Sequence, residues 1–200
     1  MQIDTTYFFY AALGSVLIGL SKGGLPSTGM LAVPVLSLSI SPIHATTLLL
    51  PIYIISDVVG VWLYRKNFSP FNVKVLTQGG LLGVFVGWLT ATVISETLVT
   101  FLIGLIGVLF CLNAWFRKVN DDPPKPPQSL PGIFWGSLAG FTSFISHAGA
   151  PPFQVYVLPQ KLSKADFAGT ATLVFAAINL AKIWPYQDLR PYQWGDLMDA

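Results

Sequence analysis

The sequence predicts an all-α membrane protein, a polytopic bundle of transmembrane helices built from two repeats with broken or re-entrant helices. Three observations predict this class. Only 10% of the 200 residues are charged, 53% belong to the hydrophobic set, and the mean hydropathy is +0.63. The charged residues leave apolar runs long enough to cross a bilayer. The chain also matches itself when it is shifted by 122 positions.

The low charge excludes several classes of protein. A soluble domain carries charge on about a quarter of its residues, so this chain has too few charges to cover a water-facing surface. We therefore exclude a cytosolic enzyme, a disordered protein and a nucleic-acid-binding protein. The single cysteine, Cys111, excludes a disulfide framework.

Runs without Asp, Glu, Lys or Arg define the predicted helices. They occupy 5–21, 23–56, 75–95, 97–116 and 126–160. A helix needs about 20 residues to cross about 30 Å of hydrocarbon. The two longest runs are divided by Ser41-Pro42 and by Gly149-Ala150-Pro151-Pro152. The predicted segments lie near 5–21, 24–40, 43–64, 74–95, 97–116, 131–147, 151–160 and 165–184.

A proline-dense polar segment separates two halves of the chain, and we expect it to be extended and exposed. The predicted organisation is a first transmembrane repeat, 1–118, a cytoplasmic linker, 119–130, and a second repeat, 131–200. The second repeat lacks counterparts of 79–95 and 97–116. We therefore expect the natural protein to continue for roughly forty residues that form two further helices.

One predicted helix carries a stripe of small residues. Gly79, Gly83 and Gly87 recur at four-residue spacing, so they share a helical face. This spacing predicts close contact with another helix.

The repeat and the basic residues together predict an orientation. If every segment of the first half crosses the membrane, the second half is inverted and most basic residues lie on one side. These are Lys22, Arg65, Lys66, Lys74, Arg117, Lys118, Lys125, Lys161 and Lys164. The positive-inside rule then predicts an inner-membrane protein with an external N-terminus. If 24–40 and 151–160 only dip into the membrane, Lys22, Lys161 and Lys164 move outside, and both interpretations stay open.

Two short stretches broken by glycine and proline occupy corresponding places in the halves, and we name 19–29 the first motif and 142–152 the second motif. Such pairs indicate a transporter binding site. Glycine lets the backbone approach a ligand, and free amides at a helix start attract anions. The predicted substrate-binding residues are Ser21, Lys22, Gly23, Gly24, Pro26 and Ser27 in the first motif, and Ser146, His147, Gly149, Ala150 and Pro151 in the second.

Ionisable residues within apolar segments are candidates for ion coupling. Asp57 lies inside a predicted helix, and it aligns with Asn179, one turn before Lys182. With His147, these residues form the predicted coupling set. Structural roles stay open as alternatives. They are an ion pair between Asp57 and Lys182, a hydrogen bond of His147 within the helical bundle, and a loop position for Lys22.

The sequence lacks the patterns of several chemistries. It shows no metal-ligand spacing, no nucleophile elbow and no phosphate-binding loop. We therefore expect no enzyme activity, no metal and no cofactor. The expected partners are a small anion, protons and the lipid bilayer, with a second copy of the chain as a further partner.

The two motifs resemble those of the sulfite exporter TauE/SafE family. The resemblance rests on Gly19-Leu20-Ser21-Lys22-Gly23-Gly24, on Val33-Pro34-Val35-Leu36, on Gly140-Phe141 through Pro152, and on Ala168-Gly169-Thr170-Ala171-Thr172. It implies a duplicated helical permease for small sulfur-containing anions such as sulfite, sulfonates or thiosulfate. The second motif departs from the glycine-rich pattern at Ser146-His147.

Two other functions remain alternatives. The first is a membrane assembly or anchoring protein that transports nothing. The second is a permease for another solute, such as a small carboxylate or a metal ion. Scarce intramembrane acids disfavour a cation, because a cation site needs oxygen-rich ligands.

Overall fold

The computed structural model describes residues 5–23, 25–91, 93, 95–116 and 123–189. Within these ranges all regular structure is helical, which confirms the all-α class. The helices are α1 (Thr5–Lys22), α2 (Pro26–Gly29), α3 (Ala32–Leu36), α4 (Pro42–Tyr64), α5 (Pro70–Ala91), α6 (Glu96–Phe116), α7 (Ser129–Ser146), α8 (Ala150–Val157) and α9 (Lys164–Leu189), and a 3-10 turn covers Leu158–Gln160.

Three helices of the described chain are long and apolar enough to cross a membrane: α4, α5 and α9. The broken element Pro26–Leu36 is apolar but short. At 1.5 Å per residue it measures about 16 Å, roughly half of the hydrocarbon thickness. It therefore cannot span the bilayer as one continuous helix.

Prolines define several helix starts, as the sequence predicts. Ser41 precedes α4 in an extended conformation, and its hydroxyl accepts a hydrogen bond from the His44 amide at 3.5 Å. Proline occupies the first turn of α2, α4 and α8, where its missing N–H would have had no helical partner.

In the first half, α1 and α4 run in the same direction. The middle of α1 at Gly14 faces Leu49 of α4, and Lys22 at the end of α1 contacts Asp57 farther along α4. The chain between them must return in the opposite direction. The α2–α3 element makes that return, and the Thr28 hydroxyl donates to the Leu17 carbonyl of α1 at 3.1 Å.

The second half has the same arrangement. Tyr156, near the end of α8, donates to the Gln128 carbonyl just before α7 at 2.8 Å, so α8 runs back along α7. Lys182, late in α9, contacts Ser143 near the end of α7. Helix α9 therefore follows the direction of α7.

Helices α4 and α9 join the halves and run antiparallel. The Asn67 carbonyl, after the end of α4, approaches Gly169 near the start of α9. Asn179, deeper in α9, donates to Asp57 at 2.7 Å. These last two residues align when the sequence is shifted by 122, so each half contributes its corresponding residue to one contact.

Helices α5 and α7 form a second seam between the halves. The predicted stripe Gly79, Gly83 and Gly87 packs against α7. A Cβ on Gly79 would lie 2.8 Å from the Ser137 amide, and one on Gly87 would lie 2.7 Å from the Phe144 ring. The close helix contact predicted from the spacing is confirmed.

Large apolar side chains also cover the outside of the bundle. Ile55, Val58 and Trp62 on α4 are each more than 60% exposed. An outer surface of this kind suits hydrocarbon, whereas soluble monomers rarely expose extensive apolar patches.

Candidate functional site

The two motifs meet around one cavity. The cavity is small, with a volume of about 30 Å³. The first motif contributes Ser21, Lys22, Pro26 and Gly29, and the second motif contributes Ser143, His147 and Ala150. The cavity therefore lies between the halves, where both predicted stretches reach it. Helices α4 and α9 add Tyr53 and Asn179 to the wall.

A charged cluster occupies the α1, α4 and α9 side of the cavity. Lys22 forms an ion pair with Asp57, and both side chains are largely buried. Asn179 donates to the second carboxylate oxygen of Asp57 at 2.7 Å. Both Asp57 oxygens therefore have partners. Lys22 is the last residue of α1 and not a loop residue.

Lys182 belongs to a different cluster. Its ammonium nitrogen lies 2.7 Å from Nδ1 of His147 and 3.1 Å from both the carbonyl and the hydroxyl oxygen of Ser143. Nε2 of His147 lies 2.9 Å from the Thr46 carbonyl. The Asp57–Lys182 pair that the sequence left open as an alternative is not formed, because Lys22 and Asn179 take the carboxylate. His147 does make the hydrogen bond within the bundle that the sequence allowed.

Tyr53 was not found by the sequence argument. Its hydroxyl donates to the Gly29 carbonyl of the first motif at 2.6 Å. Its ring stacks on His147 of the second motif, with ring centroids 4.4 Å apart and an angle of 25°. Tyr53 thus touches both motifs. One signal was present, because Tyr53 precedes Asp57 by one helical turn and shares its face.

The chain break in the second motif is made by a different residue than expected. His147 adopts a left-handed conformation with φ 54°, whereas Gly149 has a helical φ of −77°. The expectation that glycine unwinds the backbone there is wrong. Gly149 serves packing, since a Cβ would lie 2.6 Å from the Phe175 ring and 2.7 Å from the Ala139 carbonyl.

Several predicted residues do not line the cavity. They are Gly23, Ser27, Ser146, Gly149 and Pro151. Ser146 is fully buried, and its hydroxyl donates back to the Thr142 carbonyl. Ser27 instead links the first motif to α8 of the second half, because it accepts a hydrogen bond from Gln154 at 2.5 Å. Gly24 lies outside the described residues.

Among the residues that the structure describes, no group of three or more His, Cys, Asp or Glu side chains is arranged to hold a metal ion. The polar groups of the cavity wall are cationic, amide, hydroxyl and imidazole groups, and the Asp57 carboxylate is paired with Lys22 of that wall.

The family model of the sulfite exporter TauE/SafE matches residues 11–198. The chain belongs to this family. The match covers nearly the whole chain, so the resemblance drawn from the two motifs is confirmed. Membership of a transporter family, together with the apolar helices, identifies a membrane protein of the permease type. Comparisons with individual curated proteins and with solved structures gave no match.

Proposed function

We propose that this TauE/SafE family member is a multi-pass inner-membrane permease that binds a small oxidised sulfur anion between its two motifs. The observation that carries the proposal is the shared cavity. Lys22 reaches it from the first motif, and Ser143 and His147 reach it from the second. A site built by both halves is what alternating access needs, because movement of one half against the other opens it to either side.

The charges around the cavity favour an anion. Lys22 lines the wall, and Lys182 lies directly behind His147 and Ser143. Asp57 is the one carboxylate bonded to these groups in the described chain, and Lys22 already neutralises it. A divalent cation would need several oxygen ligands with negative charge, so the site suits a negative solute better.

An inverted repeat is part of the proposal, and the element pattern supports it. Helices α1 and α7 both have 18 residues, and each precedes a short broken element that runs backwards. The next long helices, α4 and α9, cross antiparallel at Asp57 and Asn179. With the basic residues on the cytoplasmic side, the N-terminus is external and the linker 119–130 is cytoplasmic.

Protons are the proposed coupling ion. Asp57, Asn179, His147 and Lys182 form two adjoining hydrogen-bonded clusters at the cavity. A change of solute in the cavity changes the electric field at both clusters, because charges interact strongly in a low dielectric.

A melting-temperature screen of the purified protein in detergent tests the function. The ligands are sulfite, thiosulfate, methanesulfonate, chloride and succinate. We expect the sulfur anions to raise the melting temperature with increasing concentration, because a ligand that binds only the folded state stabilises it. A shift with succinate alone supports the carboxylate permease. No shift with any anion, together with no flux in proteoliposomes, supports the assembly protein.

A further inference from the structure

We propose that Lys182 takes up one proton when an anion enters the cavity, so that the two are carried together. This inference rests on the proposed anion site and names the residue that couples it to protons. Its basis is the hydrogen bonding of Lys182, Ser143 and His147, which we name the lysine cluster.

Lys182 is a buried amine that has no acidic hydrogen-bond partner among the described residues. Its residue is 0% exposed. Within the described ranges, its hydrogen-bond partners are two oxygen atoms of Ser143 and one ring nitrogen of His147, and no carboxylate lies within bonding distance. Burying a charge without an opposite charge is costly. The neutral amine is therefore favoured while the cavity is empty.

The tautomer of His147 follows from its neighbours. Nε2 faces the Thr46 carbonyl at 2.9 Å, and a carbonyl only accepts hydrogen bonds, so Nε2 carries the proton. In the neutral ring Nδ1 is then an acceptor, and it points at the Lys182 nitrogen at 2.7 Å. The imidazole thus accepts a hydrogen bond from Lys182 whether that side chain is charged or neutral.

The lysine cluster satisfies its polar atoms in both protonation states. As an ammonium, Lys182 has three N–H donors and three acceptors, namely Nδ1 of His147 and the two Ser143 oxygens. As an amine it has two donors and a lone pair. The Ser143 hydroxyl can rotate and donate to that lone pair. Lys182 can therefore gain or lose a proton without leaving a buried polar group unpaired.

The anion changes which state is favoured. Ser143 and His147 line the cavity, so one layer of side chains separates Lys182 from its contents. A negative charge at that distance stabilises the ammonium, because an opposite charge nearby favours the charged form. The other ionisable groups around Lys182 are Asp57 and Lys22, which neutralise each other, and Tyr186, whose hydroxyl donates to the Phe144 carbonyl.

Calorimetric titration with methanesulfonate measures the proton directly. This ligand stays a monoanion across the working pH range, so a proton taken up on binding goes to the protein. Titrations in two amine buffers with different ionisation enthalpies give the number of protons per bound anion. We expect about one for the unmodified protein. We expect none for Lys182→Met, which cannot be charged, and none for Lys182→Arg, which does not deprotonate.

A lysine outside the site provides the matched control. Lys74→Met removes an exposed lysine of α5 that does not line the cavity, so this variant should still take up about one proton per anion. Binding of methanesulfonate by the unmodified protein without proton uptake would overturn the inference and leave the proposed function standing. Uptake that persists in Lys182→Met, or disappears equally in Lys74→Met, would also overturn the inference, because the proton would then go to another group. No binding of any sulfur anion would refute the proposed function itself.

Discussion

Single side chains connect the two halves of this protein through a small number of buried polar contacts. The Lys22–Asp57 ion pair links α1 to α4, and Asn179 extends it into α9. An ion pair in an apolar environment is not by itself strongly stabilising, because both charges lose hydration. Removal of one partner destabilises the folded protein strongly, since it leaves the other charge buried and unpaired.

The ion pair therefore gives a clear prediction for stability. Lys22→Gln should lower the free energy of unfolding by about 3–5 kcal/mol, because it leaves the Asp57 carboxylate without its cation. Lys22→Gln/Asp57→Asn should recover most of that loss, since no unpaired charge remains. Denaturant titration of the detergent-solubilised protein measures both. A double variant no more stable than the single one would contradict the pairing.

The sequence located the polar residues of the site but not their partners. Asp57 was identified because a charge inside an apolar segment is conspicuous, and Asn179 because the repeat aligns the two. The pairing with Lys22 depends on α1 and α4 running in the same direction, which places the end of α1 beside Asp57. No local sequence pattern shows that these two residues are neighbours. The alignment of the halves offered only Lys182 as a partner for Asp57.

Whole helices are held together across the halves by backbone-to-backbone packing. Glycines of both α5 and α7 lie at the contact between these helices, and a Cβ on Gly83 or on Gly140 would meet backbone atoms of the other helix first. This seam needs no polar side chain, and small residues allow the van der Waals contact that drives helix association in lipid.

Gly83→Ala should disrupt this seam. The added Cβ would lie 2.6 Å from the Phe141 amide and closer still to the Ser137 carbonyl, and neither atom can move without the helix. We expect a loss of about 1–3 kcal/mol or more in the free energy of unfolding. Gly104→Ala on α6 is the matched control, because no atom lies within 4 Å of its added Cβ. It should be neutral or stabilise the helix by up to about 1 kcal/mol. Equal effects of the two substitutions in thermal unfolding would contradict the seam.

The short elements show which part of the fold local sequence can predict. The prolines and glycines correctly predicted short helical elements near 24–40 and 151–160, because proline interrupts a helix. They did not predict that His147 would take the left-handed conformation instead of Gly149. That choice depends on three tertiary contacts, with Thr46, Lys182 and Tyr53.

At the scale of the molecule, the contact directions favour two halves of opposite orientation. Within each half the broken element runs against its long neighbours, and between the halves α4 and α9 are antiparallel. Under the proposed function, movement of one half against the other would change the cavity between them.

The proposed orientation is tested by labelling single cysteines in intact cells. In a Cys111→Ser background, Leu38→Cys lies before α4 at an exposed position, and Gln128→Cys lies before α7 at another. A membrane-impermeant maleimide should label the first in intact cells and the second only after permeabilisation. Labelling of both sites from the same side would contradict the inverted arrangement.

The proposed function requires that the two halves meet at the cavity, and close to it Gln154 of the second half donates to Ser27 of the first half. The direct test is sulfite or methanesulfonate flux through Ser27→Cys/Gln154→Cys in a Cys111→Ser background, reconstituted in liposomes and treated with a short bis-methanethiosulfonate cross-linker, which reductant removes. We predict that the reagent joins the two cysteines, that flux stops while they are joined, and that reduction restores flux. Unchanged flux through the cross-linked protein, or no cross-link between the two cysteines, would contradict this arrangement.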